Sequence, residues 1–209
     1  MEYVERINTE LKPKIDKNLD KTVLDLFAGC GGLSLGFESV GFRTIGFEKL
    51  EDAAQTYRTN LLGDCHTQEL DVNTEYPDAD VIIGGPPCQG FSRIGKRQKD
   101  DPRNSLIWHF YRHVEELRPK FFIMENVEGL LDGDNVDMLM SAMERVSGIY
   151  RVLDPVIVNA AHFGAATNRR RVVVIGYDPA DVDPITIDMI QPEPPPQLST
   201  VRDAILDLP

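Results

Sequence analysis

Cysteines and long apolar runs are scarce in this chain, and each scarcity excludes a class of protein. Only three cysteines occur, Cys30, Cys65 and Cys88, and no two of them are spaced as Cys-x-x-Cys. Neither a disulfide framework nor a metal site is therefore expected, and a reducing cytoplasm is the natural location. No stretch approaches the roughly 18 consecutive apolar residues of a membrane-spanning helix, so no membrane partner is expected.

The two ends of the chain differ in composition from its middle. Residues 1–21 are polar, with a short helix predicted before Pro13, and they lack the apolar core of a signal peptide, so secretion is not expected. From Asp178 the chain becomes irregular and rich in proline. We therefore predict an N-terminal extension at 1–21, a main domain at 22–178 and a Pro-rich C-terminal segment at 179–209.

Acidic residues outnumber basic ones and give a net charge of −12 over 209 residues. Such a chain does not attract a polyanion as a whole, so a local basic patch or another polypeptide must supply any attraction to nucleic acid. Basic side chains cluster at 93–103 and at 169–171. Most charge runs are only solvated surface, but these two flank the cleft expected below, and we interpret them as phosphate or base contacts.

Strand-like and helix-like patterns alternate along the main domain. Strands are predicted at 22–27, 43–47, 65–70, 79–83, 120–124, 150–159 and 171–177, and helices at 33–40, 52–62, 105–117 and 135–146. This alternation predicts an α/β fold with a mostly parallel seven-stranded sheet and helices on both faces. The last two strands are joined too tightly for a crossover helix, so one strand is expected to be antiparallel.

A glycine-rich loop follows the first predicted strand and opens a helix. The loop reads Asp25-Leu26-Phe27-Ala28-Gly29-Cys30-Gly31-Gly32. Its glycines allow a ligand to approach closely, and the helix N-terminus offers N–H donors. Glu48 ends the second strand, where an acid can bind ribose hydroxyls, and Asp71 could accept from an adenine amino group. The pattern favours an adenosine-containing ligand over a structural turn followed by two solvated acids.

One thiol, Cys88, follows the predicted strand at 79–83 in the sequence Gly84-Gly85-Pro86-Pro87-Cys88-Gln89-Gly90. The prolines stiffen this turn and the glycines let a ligand approach. The position favours a nucleophile, although a small buried thiol in a Pro-rich turn would have the same sequence pattern.

Glu125 ends the next predicted strand, at 120–124. It would share a cleft with Cys88 if the two strands are neighbours about 4.8 Å apart. Alternatively, Glu125-Asn126-Val127 would only cap the helix that follows. Phe27, Glu48 and Asp71 also end predicted strands, and in open α/β sheets ligands bind beyond the carboxyl ends of the strands. We therefore expect these residues to line one cleft.

Taken together, residues from about 22 to 209 resemble the catalytic domain of the cytosine-5 DNA methyltransferases. The motifs that carry the resemblance are the loop at 25–32, Gly85-Pro86-Pro87-Cys88-Gln89-Gly90, Asp101-Pro102-Arg103-Asn104-Ser105-Leu106, Glu125-Asn126-Val127 and Arg169-x-Arg171. The resemblance implies a class I, Rossmann-like fold that binds S-adenosylmethionine, releases S-adenosylhomocysteine and acts on double-stranded DNA. The location would be the prokaryotic cytoplasm or wherever the DNA is.

By this resemblance the site residues divide into three sets. In the catalytic set, Cys88 would add to carbon 6 of a flipped cytosine, Glu125 would bind ring nitrogen 3, Arg171 would bind the pyrimidine oxygen, and Arg169 would support the nucleophile loop. The residues that would bind the cofactor are Phe27, Ala28, Gly29, Cys30, Gly31, Gly32, Glu48, Asp71, Val72 and Pro86. The residues that would bind the substrate are Gln89, Ser92, Arg103 and Asn126, and the segment 92–103 is the expected lid.

The chain departs from the family at two positions and in its extent. Thr167 stands where the family has the glutamine of its arginine motif, and Lys49 stands where an aromatic residue often covers the adenine. The family's target-recognition domain and the returning segment with Gly-Asn-Ser-Val have no counterpart, so a split or truncated enzyme is expected, with a second polypeptide to supply both. Two alternatives stay open: an enzyme of the same family that acts on tRNA, and a non-catalytic subunit that binds S-adenosylmethionine.

Overall fold

A computed structural model describes residues 3–71, 74–87, 105–191, 195 and 197–205. Within these residues eight strands alternate with six α-helices. The strands are β1 Thr22–Leu26, β2 Arg43–Glu48, β3 Asp64–Thr67, β4 Val81–Gly84, β5 Phe121–Val127, β6 Arg151–Val152, β7 Val156–Asn159 and β8 Arg170–Tyr177. The helices are α1 Tyr3–Glu10, α2 Gly32–Ser39, α3 Glu51–Asn60, α4 Ser105–Leu117, α5 Asp134–Glu144 and α6 Val201–Ile205. None of the helices in this part of the chain is long and apolar enough to cross a membrane.

The strands form one sheet in the order β3-β2-β1-β4-β5-β8-β6, with β7 also paired to β8. Strands β1 to β5 run parallel, and β8 runs antiparallel to β5, β6 and β7. Because β6 and β7 pair with opposite ends of the same edge of β8, they form one interrupted strand. The interruption includes Pro155, which has no N–H to donate. The predicted seven-stranded sheet with one antiparallel strand is confirmed in this sense.

Two predicted strand ends were wrong. The third strand was expected to reach Leu70 and place Asp71 at its end, but β3 stops at Thr67. The fifth strand was expected to stop before Glu125, but β5 continues to Val127 because β8 pairs with it as far as Arg171. Glu125-Asn126-Val127 is therefore strand; Val127 stands in the capping position of the 3-10 helix Glu128–Leu131, but no side-chain hydrogen bond caps that helix.

The two faces of the sheet are buried to different degrees. On the face covered by α4 and α5, the side chains of the central strands are fully buried, including Leu24, Ile82, Phe122 and Val174. On the opposite face α2 and α3 bury β1, β2 and β4, whereas the side chains of β5 stay half-buried. On β8 the same face is half-buried at Val173 but buried at Ile175 and Tyr177. The half-buried side chains on that face are Phe121, Ile123, Val127 and Val173.

Helix α1 packs beside the start of β8. The hydroxyl of Tyr3 accepts a hydrogen bond of 3.2 Å from the backbone N–H of Ala166, and Arg6 donates one of 2.8 Å to the carbonyl of Gly164. α1 also contacts α6. The segment before β1 therefore supports the turn that leads into Arg169 and Arg171.

Candidate active site

The glycine-rich loop makes a sharp turn at the carboxyl end of β1. Phe27 has φ 64°, a left-handed conformation that is strained for a non-glycine residue, and the next N–H, that of Ala28, donates to the carbonyl of Phe47 at 3.0 Å. Gly31 has φ 86°, and a Cβ there would lie 2.7 Å from the ring of Tyr57. Only glycine fits at position 31, because any side chain there would collide with Tyr57 of α3. The loop therefore packs closely against α3, and its N–H groups lie at the edge of the sheet.

Glu48 ties this loop to the start of α3. One carboxylate oxygen accepts a hydrogen bond of 2.9 Å from the N–H of Gly29, and the other accepts one of 2.9 Å from the N–H of Leu50. Hydrogen bonds to a carboxylate are stronger than those between neutral groups. Glu48 therefore fixes the two backbone segments that flank the place where the sequence predicted a ribose.

An open cleft of about 450 Å³, counting the solvent at its mouth, lies beside the loop. It is lined by Phe27, Phe47, Glu48, Lys49, Gln68, Glu69, Leu70, Pro87 and Leu106. Two aromatic side chains and two leucines form apolar walls of the kind that a flat heterocycle packs against. Phe47, Gln68, Glu69, Leu70 and Leu106 were not predicted as site residues. The signals for them were the positions of Phe47 and Leu70 at predicted strand ends and that of Leu106 in a family motif.

Asp71 does not line this cleft. Its N–H donates to the hydroxyl of Thr74 at 2.9 Å, and its carbonyl accepts from Arg112 at 3.3 Å. The assignment of Asp71 to an adenine amino group remains a prediction, as does that of Val72, which lies outside the described residues. The displacement follows from the early end of β3, since three residues separate Asp71 from that strand.

The turn before the predicted nucleophile is held by Asn126. Its side-chain amide, only 3% exposed, donates to the carbonyl of Pro86 at 3.1 Å. Pro87, and not the predicted Pro86, lines the cleft. Asn126 was expected to meet the substrate; in this structure its side chain instead anchors the turn. The predicted residues Cys88, Gln89, Ser92 and Arg103 lie outside the described part of the chain.

Glu125 and Arg171 form an ion pair at the carboxyl edge of the sheet. The Nε of Arg171 lies 2.9 Å from Oε1 of Glu125, and the two side chains are 22% and 27% exposed. Arg171 pairs with Val127 across the strands, so it shares a face with Glu125 two residues earlier. The register of β5 on β8 thus brings together two residues that are distant in sequence.

The glycine turn runs directly against this pair. A Cβ on Gly85 would lie 3.1 Å from Oε2 of Glu125, so there is little room for a side chain between the backbone at Gly85 and the carboxylate. Arg169 is exposed, and its carbonyl accepts from the N–H of Ala160 at 2.9 Å. Arg170, which was not predicted, pairs with Glu128 at 3.0 Å. The structure thus joins Glu125, Arg171 and the turn, and leaves Arg169 at the surface beside them.

A chain of buried polar side chains lies beneath the loop, and sequence reasoning missed it. Asp25, 1% exposed, accepts a hydrogen bond of 2.7 Å from the hydroxyl of Ser34. The hydroxyl of Tyr57 lies 2.9 Å from that of Ser34 and 2.7 Å from that of Thr44, which donates to the fully buried Glu38 at 2.6 Å. Burial raises the pKa of Asp25 to about 7. Only the position of Asp25 inside a strand otherwise apolar hinted at this arrangement.

A profile of the C-5 cytosine-specific DNA methylase family matches residues 21–208. The chain belongs to this family. S-adenosylmethionine is accordingly its cofactor, as the resemblance implied. The described residues fit such a ligand, because Phe27 and Phe47 offer apolar walls, Glu48 offers an acceptor, and Asp25 places a carboxyl group under the loop.

Two similar proteins are Type II methyltransferases of bacteria. The Type II methyltransferase M.AplI of Arthrospira platensis is 42% identical over 86% of this chain and 52% of its own length. M.XorII of Xanthomonas oryzae pv. oryzae is 39% identical over 89% of this chain and 46% of its own length. The chain thus spans about half the length of these relatives.

Solved structures with the same architecture agree with this placement. A DNA modification methyltransferase encoded within an E. coli prophage superposes with a TM-score of 0.77 at 36% identity, covering 91% of this chain and 56% of the other. Dnmt2 of S. pombe superposes with a TM-score of 0.59 at 19% identity, covering 81% of this chain and 53% of the other. The first match supports the family, and the second supports the fold alone.

Proposed function

We propose that this domain transfers a methyl group from S-adenosylmethionine to carbon 5 of cytosine in DNA, through a covalent adduct of Cys88. The observation that carries the proposal is the Glu125–Arg171 pair, whose carboxylate leaves little room for a side chain at Gly85, three residues before Cys88. Together with the Cys88 thiol, a carboxyl group and a guanidinium would meet the three needs of this reaction: a nucleophile, a partner for the ring nitrogen, and a partner for the ring oxygen.

The chemistry assigns each residue a separate task. Carbon 5 of cytosine is a poor nucleophile, and addition of the Cys88 thiolate to carbon 6 makes the ring electron-rich at carbon 5. The cofactor, when bound, provides the electrophilic methyl group. Loss of the carbon 5 proton to a base then restores the double bond and expels the Cys88 thiolate. A cytosine inside a duplex cannot reach these groups, so it must be flipped out of the stack.

Glu125 and Arg171 are aligned before any base arrives. Arg171 holds Glu125 through its Nε, and its five donors allow another edge to meet the pyrimidine oxygen. Glu125 can then share a proton with ring nitrogen 3 and so stabilise the charge that builds on the ring. Asn126, the next residue, fixes the carbonyl of Pro86 and so positions the turn that precedes the nucleophile.

Trapping on 5-fluorocytosine tests this function directly. Fluorine at carbon 5 cannot leave as a proton does, so a working Cys88 stays joined to the duplex. With S-adenosylmethionine and the second polypeptide proposed below both present, we expect a stable protein–DNA adduct that is absent from Glu125→Gln at the same protein concentration. An adduct on tRNA but not on duplex DNA would assign the domain to RNA, and no adduct on either would favour a non-catalytic subunit.

We further propose that a second polypeptide provides target recognition and completes the catalytic domain. Two observations support this. The face of β5 that carries Phe121 and Ile123 is only half-buried along the strand, whereas the other face of β5 is fully buried. The net charge of −12 also leaves the attraction to DNA to be supplied from elsewhere.

Complementation in trans tests the second polypeptide. The part of the Arthrospira platensis relative that lies outside the match would be expressed separately and added to this chain. We expect adduct formation on the fluorinated duplex only when both are present, and weaker stimulation with Ile123→Asp, which places a charge on the half-buried face. Full activity of the chain alone would overturn this part of the proposal and leave the chemistry of Cys88 standing.

A further inference from the structure

Asp25 is a buried carboxyl group that the proposed reaction does not use. Its Oδ2 accepts from the hydroxyl of Ser34, but its Oδ1, also buried, has no hydrogen-bond partner among the residues that the structure describes. A buried carboxylate oxygen without a partner is costly, so its retention calls for an explanation. The side chain lies on the face of β1 that the glycine-rich loop and α2 cover, because Asp25 alternates with Leu24 and Leu26.

Asp25 is bound to the first turn of α2. The residue in the capping position of this helix is Gly31, which has no side chain to accept the first N–H groups. Asp25, on the preceding strand, accepts a hydrogen bond from the hydroxyl of Ser34 in that turn and places a negative group near the helix N-terminus. The carboxyl group therefore fixes the helix that begins where the cofactor loop ends.

The other titratable groups around Asp25 come from four elements. β2 contributes Glu48, α2 contributes Glu38 at the far end of the hydroxyl chain, α3 contributes Tyr57 and β3 contributes Cys65. Burial raises the pKa of Cys65 to about 11 and that of Tyr57 still further, so both stay neutral near pH 7. The neighbour on β4 is Ile83, which is apolar. No cation among the described residues pairs with Asp25.

We propose that Asp25 is a positioning residue that serves as the buried counter-charge of the cationic cofactor, so that the loop binds S-adenosylmethionine in preference to S-adenosylhomocysteine. The two ligands differ by one methyl group and by the positive charge on sulfur. A carboxylate shielded from water senses that charge through a low dielectric, and the preference helps the product to leave. The inference rests on the cofactor of the proposed function and not on its DNA chemistry.

The sign of the pH dependence follows from the burial of Asp25. Because burial raises its pKa to about 7, the group is partly protonated at neutral pH before the cofactor binds. A bound cation favours the ionised form and lowers the pKa, so affinity rises as pH increases through about 7. The same rise is smaller for S-adenosylhomocysteine, which lacks the sulfonium charge.

Calorimetric titration of both ligands between pH 5.5 and 7.5 tests the inference. We expect the affinity for S-adenosylmethionine to rise by about five- to tenfold over this range, as a pKa lowered by one unit or more requires, and that for S-adenosylhomocysteine to rise less. Asp25→Asn should remove the difference between the two ligands. Asp52→Asn, the same change at an exposed position in the first turn of α3, should keep it.

A second variant keeps the test decisive if Asp25→Asn does not fold. Ser34 donates to the Asp25 carboxylate and lowers its pKa, so Ser34→Ala should move the midpoint of the affinity rise to higher pH and keep the difference between the ligands. If the affinities of the unaltered chain for the two ligands change equally with pH, the inference is wrong. Adduct trapping measures the reaction with DNA, whereas calorimetry measures cofactor affinity. If no adduct forms but the affinity for S-adenosylmethionine still rises with pH more than that for S-adenosylhomocysteine, only the proposed function is refuted.

Discussion

The two halves of the sheet differ in how completely this chain builds them. The half formed by β1, β2 and β3 carries the cofactor loop, and helices cover β1 on both faces. The half formed by β5 and β8 carries Glu125 and Arg171, and one face of β5 is only half-buried. We therefore expect the first half to bind its ligand alone and the second half to depend on the proposed second polypeptide.

Because of this difference, we expect cofactor binding and methyl transfer to depend on different halves of the sheet. In the half formed by β1, β2 and β3, called the cofactor half below, Glu48 binds the N–H groups of Gly29 and Leu50, and Asp25 binds Ser34 of α2. The loop is therefore held by contacts within the chain. In the half formed by β5 and β8, which would bind the cytosine base, the Glu125–Arg171 ion pair is formed within the described residues. The proposed nucleophile, Cys88, belongs to the segment after Pro87. We therefore expect variants in the two halves to affect different measurements.

The largest expected effect is at the nucleophile. Cys88→Ser should lower the rate of methyl transfer by at least about 10³-fold, because a serine hydroxyl is not ionised near neutral pH, while the affinity for S-adenosylmethionine stays unchanged. Single-turnover transfer of labelled methyl, with the complementing polypeptide, and calorimetry would measure the two quantities. Cys65→Ala, at a buried thiol away from the proposed chemistry, should keep the rate, and equal losses in both variants would count against Cys88.

The next effect contrasts the two faces of β5. Phe122→Ala should reduce the free energy of unfolding by about 3–5 kcal/mol, because this fully buried ring packs against Phe110, Tyr111 and Tyr150. Ile123→Ala, on the half-buried face, should cost less than about 2 kcal/mol for the chain alone, since less of its surface leaves water on folding. Urea unfolding measures both, and equal costs would show that the second face is already closed.

Glu48 gives a smaller effect confined to the cofactor half. Glu48→Gln should weaken S-adenosylmethionine binding by roughly 10- to 100-fold, because two hydrogen bonds to a charged acceptor worth about 1.5–3 kcal/mol are lost or weakened. The affinity of the complemented enzyme for duplex DNA should not change. Glu75→Gln, at an exposed acid that does not line the cleft, is the matched control. A loss of DNA affinity in Glu48→Gln would break the separation between the halves.

The smallest effect is at Lys49, which lines the cleft where an aromatic residue often stands in the family. Lys49→Tyr should strengthen cofactor binding by a few-fold, since stacking of an aromatic side chain contributes about 0.5–1.5 kcal/mol. Lys49→Met, which keeps the length without the ring, should leave the affinity near its original value. An equal gain in both variants would assign the effect to loss of the positive charge.

Much of the fold and part of the site could be predicted from local patterns. The alternation of strands and helices predicted the parallel sheet, and the glycines after β1 predicted the loop. Both predictions succeeded because these features depend on residues that are close together in the chain. Helix α4 was predicted with the bounds that the structure gives, Ser105–Leu117. Strand ends were predicted less well, because the length of β5 is set by its pairing with β8 and the short β3 is an edge strand.

The roles of individual side chains were harder to predict where they depend on packing. Asn126 lies in a motif that suggested contact with substrate, yet register buries its amide against Pro86. Asp25 lies in the same loop motif as the predicted cofactor residues, yet nothing local shows that Ser34, Tyr57 and Thr44 link it to Glu38.

The sequence by itself determined the class of fold, the family and the order of the motifs, because glycines, prolines and apolar runs restrict the backbone locally. Only the tertiary structure decided that Glu125 and Arg171 form a pair, that Asp25 is buried with one oxygen unpartnered among the described residues, and that one face of β5 is left half-covered. These depend on strand register and helix packing, which bring together residues far apart in the chain and set how much water each one keeps.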